Sequence, residues 1–154
     1  MDRRTRICLW IIVLGLVNFL AYAIAYEFIG GDAMNGSVRA EKAGVHASLV
    51  RHYWLSRNGQ PIEVSRSIWI YSAVHSISIW VTVGAVLLAM LTLAKDRIVS
   101  SMRATVIRGR TMITVIATLI SVICLIMTTH FILLMIRNLV SPEVVQAVTT
   151  GMAR

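Results

Sequence analysis

Three uninterrupted apolar segments, at 7–29, 68–94 and 111–136, constrain this chain more than any other feature. The first carries one charge, Glu27, near its end; the others carry none, and each holds a single histidine, His75 and His130. A helix needs roughly 18 or more mostly apolar residues to cross a bilayer core, and each segment is long enough to cross with some tilt. The predicted fold class is therefore an all-α membrane protein. Three transmembrane helices form a single membrane domain over 1–154. A small outer-face loop with a β-hairpin fills 30–67, an inner loop 95–110, and an outer tail 137–154 holds a short C-terminal helix.

The formal net charge of +8 suggests a nucleic-acid partner, but the distribution follows the membrane rule instead. Arg3, Arg4 and Arg6 precede the first span. Lys95, Arg97, Arg103, Arg108 and Arg110 fill the short link between the second and third spans. Only Asp2 and Asp96 accompany them. This bias predicts a cytoplasmic N-terminus, a periplasmic C-terminus and a lipid bilayer, not nucleic acid, as the environment. The same inner link reads as a surface for anionic headgroups. The first span has the basic start and small-residue Ala21-Tyr22-Ala23 pattern of a signal peptide. Its apolar run is longer than such a peptide needs, and it reads as an uncleaved signal anchor. Cys8 and Cys124 differ in depth by roughly 20 Å at helical rise, which argues against a disulfide between them.

The outer loop carries its own signals. Gly30-Gly31-Asp32-Ala33-Met34-Asn35-Gly36 is turn-forming, and 37–50 reads as a short helix. Asn58-Gly59 lies between apolar-rich runs, the strongest short-range hairpin signal, and predicts a hairpin over about 53–64. Ser65 or Ser67 is placed to cap the second span. Tyr53, Trp54, Trp69 and Tyr71 near that end read as an interfacial aromatic belt, as do Trp10 and Tyr26 at the ends of the first span. Ser141-Pro142-Glu143 has the order of a helix start, which predicts a helix over 142–150.

One constellation bears on function. His75 lies about 12 Å and His130 about 9 Å inside the outer ends of antiparallel spans, counted at helical rise. Tyr71, His75 and Ser78 share a helix face. Thr129 neighbours His130, Tyr22 falls at a similar depth, and Asn18 is one turn deeper. These residues predict a polar cluster at one level of a three-helix bundle, and hydrogen-bonded packing is the plain reading. The sharper one is two-histidine ligation of a b-type haem by His75 and His130. In the loop, His46 and His52 with Asp32 are a metal candidate, at a spacing that matches no known ligand pattern. No nucleophile with a paired base, no metalloprotease motif and no pair of intramembrane carboxylates is present, so the sequence predicts no catalytic activity.

The glycine-rich run at 30–36, the hairpin ending Glu63-Val64-Ser65 and Tyr71-Ser72-x-x-His75-x-x-Ser78 together resemble an uncharacterised group of small bacterial multi-pass inner-membrane proteins. That group shares a Gly-Asp-Ala-x-Asn-Gly loop, an Asn-Gly type hairpin and a Tyr-Ser-x-x-His-x-x-Ser helix start. The resemblance covers 30–78. It departs where the group carries Thr-His-Pro and this chain has Thr82-Val83-Gly84. It implies a bacterial inner membrane and directs attention to Gly30, Gly31, Asp32, Asn35, Asn58 and Gly59 with the top of the second span. Three functions fit these residues. The leading one is a non-catalytic accessory or interaction subunit of a membrane complex, bound to another membrane protein or to further copies of itself. The others are a b-type haem electron carrier and an immunity-type membrane protein.

Overall fold

The computed structural model describes residues 2–43, 48–101 and 109–145. Three helices dominate: α1 (Arg3–Ile29), α2 (Arg66–Ser101) and α3 (Gly109–Val140). Their 27, 36 and 32 residues extend about 40, 54 and 48 Å at 1.5 Å per residue. All three are long and apolar enough to cross a membrane. Each outruns a hydrocarbon core of about 30 Å, so the basic Arg3, Arg4 and Arg6 ride on α1, and α2 carries its charged residues on to Ser101. Large apolar side chains are exposed around the helices, Trp10 and Leu14 at 61% and Leu125 at 66% among them. Apolar surface on all sides of a helix is the pattern of a membrane span or of a large core.

The chain is not all-α. Four strands, β1 (Asp32–Ala43), β2 (Ser48–Arg57), β3 (Gln60–Val64) and β4 (Glu143–Val145), form one sheet in the order β3-β2-β1-β4. The first three pair antiparallel; β4 joins β1 in parallel. Two expectations fail here. The segment 37–50, read as a short helix, supplies most of β1 and the start of β2. Ala40, Glu41, Lys42 and Ala43 are helix formers by propensity, but cross-strand pairing overrides propensity in a sheet. The helix expected over 142–150 is replaced at Glu143–Val145 by β4; residues 146–150 lie outside the described residues. Pro142 has no N–H to place in a ladder and stands just ahead of the strand. The β-branched Val144 and Val145 suit pairing against the β1 edge.

The hairpin forms as expected. Arg57 pairs with Gln60 across Asn58-Gly59, whose φ values of 50° and 81° are the two positive angles of a type I′ turn. Ser65 caps α2, its Oγ accepting from Ile68 N at 3.4 Å. Gly30, with φ of 85°, closes α1, and the N–H groups of Gly30 and Gly31 both reach Tyr26 O at 3.1 Å.

The residues divide into two compact units. The first comprises Met1–Ala25 and Ile77–His130, the longer parts of the helices. Its close contacts use small residues: Gly15 lies against Val86, and Gly84 against Cys124. The second comprises Tyr26–Ser76 and Phe131–Arg154 and contains the sheet. Its core is Ala33, Val38, Tyr53, Leu55, Trp69 and Ala73, with Ile29, Met135 and Leu139 packed around it. One sheet face thus closes on the adjoining helix ends. Trp69 and Tyr53, expected in an interfacial belt, are core residues, at 0% and 7% exposure. Arg51 on β2 donates to Leu139 O at 3.0 Å, occupying one of the carbonyls that the end of α3 leaves without a helical partner.

Candidate functional site

The sheet leaves one face uncovered by its own core. In an antiparallel pair, residues directly opposite share a face. Val38 pairs with Tyr53 on the core side; Arg39 pairs with His52, and Trp54 with Glu63, on the far side. Arg39, Glu41, His52, Trp54 and Glu63 line an open groove of about 350 Å³ there. His52 Nδ1 lies 2.5 Å from Glu63 Oε1, both side chains partly exposed. Trp54, opposite Glu63 in the ladder, is half-buried, and its Nε1–H has no hydrogen-bond acceptor among the described residues. The groove therefore presents both charge signs, a hydrogen-bonded His–Glu pair and one flat aromatic body. None of its residues except His52 was singled out as a ligand in the sequence. The alternation Arg39-Ala40-Glu41 and His52-Tyr53-Trp54 puts these polar side chains on one face, but only the strand register brings them together.

What fixes the sheet to its helices is Asp32. The five steps from Asp32 to Ser37 face only the two steps from Ser56 to Trp54. Such a bulge re-aims the chain, here turning the start of β1 onto α2. Asp32 is 6% exposed. Ser76 Oγ donates to its Oδ1 at 2.6 Å and also lies 2.9 Å from Ser72 O, so two acceptors share one proton. Asn35 Nδ2 donates to Asp32 Oδ2 at 3.4 Å, and Ala33 N donates to Ser72 Oγ at 3.1 Å. Ser72 and Ser76, one turn apart on α2, are the counterparts of this loop. Buried polar groups are costly unless bonded, and here they bond each other. Gly30, Gly31 and Asp32 thus shape the junction, whereas Asn58 and Gly59 form the hairpin tip.

The predicted polar cluster is divided. In the first unit Asn18 Nδ2 donates to Ser78 Oγ at 3.3 Å and to Thr82 Oγ1 at 3.2 Å. Tyr22 is half-buried on α1, while Thr129 and His130 are exposed on α3. In the second unit His75 Nδ1 is 3.1 Å from Tyr71 Oη, the rings edge-on at 5.4 Å. Asn18 and Ser78 are thus brought together, as are Tyr71 and His75. His75 and His130, the two residues of the haem reading, belong to different units. No group of three His, Cys, Asp or Glu side chains able to hold a metal occurs among the described residues. His46 lies outside them, and His52 and Asp32 are engaged by Glu63 and Ser76 respectively.

The bonds of Asn18 have a measurable consequence. Thr82 Oγ1 also reaches the carbonyls of Ser78 and Ile79, each at 3.0 Å, so it keeps partners when Asn18 is removed. Asn18→Leu is expected to cost about 0.6 kcal/mol, the mean for such bonds in lipid, and no more than about 1.7. Reversible unfolding by dodecyl sulfate in mixed micelles measures this. A loss several times larger would show that Asn18 does more than tie α1 to α2.

The chain matches no protein-family model, no curated protein and no solved structure.

Proposed function

We propose that this is a three-span protein of the bacterial inner membrane that serves as a non-catalytic interaction subunit. In this reading the N-terminus is cytoplasmic, and the sheet stands on the periplasmic side as the surface that recognises another membrane protein. Membrane residence is supported by three helices whose exposed surfaces are apolar on all sides. Orientation is supported by the basic residues at the α1 start and around the α2–α3 link. The resemblance over 30–78 supports the bacterial inner membrane.

The observation that carries the interaction role is the groove on the far face of the sheet. A half-buried Trp with an Arg beside it is the composition of a binding hot spot, not of ordinary solvated surface. The lack of an acceptor for Trp54 Nε1 among the described residues adds to this, since an unmet buried donor costs about 1–3 kcal/mol and a partner that rearranges the groove can supply one.

Mild-detergent extraction followed by native mass measurement tests the proposal. The expected species is heavier than the 17.1 kDa chain by a mass that is not a whole multiple of it. Trp54→Ala and Glu63→Ala are expected to release the partner while leaving the helix content unchanged. A stable monomer, or a complex indifferent to both substitutions, would sink the proposal; whole multiples of the chain mass would replace the foreign partner by further copies.

A further inference from the structure

Near the C-terminal end of α2, a second cleft opens within the first unit. It holds about 340 Å³ and is lined by Lys95, Asp96 and Val99 of α2 and Arg110, Ile113 and Thr114 of α3. Two helices each contribute one cation. Lys95 immediately follows Ala94, the last residue of an uncharged stretch, and Arg110 immediately precedes the uncharged run of α3. Both cations therefore stand where hydrocarbon gives way to headgroups. Long basic side chains at that level extend their stems along apolar surface and place their charge among phosphates.

The acid in the cleft does not neutralise them. Asp96 is 88% exposed, and its Oδ1 is 3.9 Å from Lys95 Nζ, the loose limit of an ion pair and worth little. Val99 and Ile113 supply an apolar wall beside the charges. The lining thus has the two-part character of a lipid's own boundary: cations for a phosphate, aliphatic side chains for the first methylenes of an acyl chain.

We propose that this cleft binds the phosphate headgroup of an anionic phospholipid of the cytoplasmic leaflet, with Lys95 and Arg110 as its two ligands. This rests on the membrane placement proposed above and is independent of the partner on the sheet. It goes beyond a general attraction of basic loops to acidic membranes, because it names two residues on two helices and leaves out a third. Arg97 is exposed on α2 and does not line the cleft.

The full-length protein is to be reconstituted in nanodiscs of phosphatidylcholine with a minor fraction of phosphatidylglycerol, and retained lipid counted by native mass spectrometry after release into detergent. Selective retention of phosphatidylglycerol is expected. Lys95→Gln and Arg110→Gln should each weaken it about fivefold, the effect of one basic residue near an anionic surface, and Arg97→Gln should leave it unchanged. Equal retention of both lipids, or equal losses from all three substitutions, would overturn the site. Displacement of the lipid by excess inorganic phosphate would overturn the lipid as occupant and identify free phosphate instead. Failure of the protein to co-float with vesicles would defeat the membrane placement itself, an outcome distinct from any of these.

Discussion

Trp69→Ala is expected to destabilise the sheet unit by about 3–5 kcal/mol, the range for truncating a large buried aromatic. Trp69 is fully buried and is the largest such side chain in the described structure. It stands in the first turn of α2, just past the Ser65 cap, and its ring lies 6.1 Å from that of Tyr53 at a tilt of 53°. Around it are Val38 and Leu55 from the sheet, with Met135 and Leu139 from α3. Trp69→Phe separates volume from polarity. The indole Nε1–H has no acceptor among the described residues, so phenylalanine removes an unmet donor while keeping most of the apolar contact, and about 1–2 kcal/mol is expected. Amide hydrogen exchange in detergent is the measurement. Protection should fall across β1 and β2 in the alanine variant and persist in the apolar stretches of α1 and α3. A loss below about 1 kcal/mol for alanine would mean that the sheet is held by something other than this core.

Legibility from sequence followed the range of the interactions. The three helices were plain because hydropathy is a property of each segment alone. The hairpin was plain because Asn58-Gly59 encodes its turn locally. By contrast, β1 was unreadable. Its alternation is carried by Val38 and Ala40 only, between residues that favour helix, and it becomes a strand because β2 and β4 flank it. The same holds for Glu143–Val145, where a helix-start sequence yields to an open sheet edge. Trp69 and Tyr53 resemble a membrane belt in sequence for a related reason. An aromatic near the end of a span looks the same in sequence whether it meets headgroups or a small folded cap.

The candidate site divides along the same line. Asn18 and Ser78 could be matched by counting depth along antiparallel helices, and Tyr71 with His75 by helical spacing. The groove of Arg39, Glu41, His52, Trp54 and Glu63 could not, because it exists only once three strands are in register. Nor could the tie between Asp32 and Ser76, which joins residues 44 apart in the chain. Ser76 stands in the sequence as a small residue on α2, but small residues serve close packing and hydrogen bonding alike.

That tie sits beside a position where a single methyl group meets both backbone strain and a main-chain clash. Gly31→Ala is expected to combine two penalties. The backbone there has φ of +141°, a conformation essentially confined to glycine, which costs other residues about 1–3 kcal/mol. A Cβ at this position would also lie 2.6 Å from Ser56 O and 2.7 Å from its carbonyl carbon. Those are main-chain atoms of β2, held in the ladder opposite Asp32, and cannot swing aside as a side chain would. Relieving the overlap requires the β1–β2 pairing to open at its first rung, at a further cost of about 1–3 kcal/mol. Because Asp32 is the next residue, that opening withdraws its carboxylate from Ser76 and loosens the sheet from α2. Gly59→Ala is the matched control. Its φ of +81° carries strain, but a Cβ there meets nothing within 4 Å, so only the backbone term of about 1–2 kcal/mol is expected. Thermal unfolding in detergent, read by near-ultraviolet circular dichroism at the aromatic core, distinguishes the two. Gly31→Ala should lose the signal of the packed Tyr53–Trp69 pair at a markedly lower temperature than Gly59→Ala, while helicity persists in both. Equal melting of the two variants would show that the first rung of the sheet is free to move, and that the junction between α1 and β1 does not set the position of the groove.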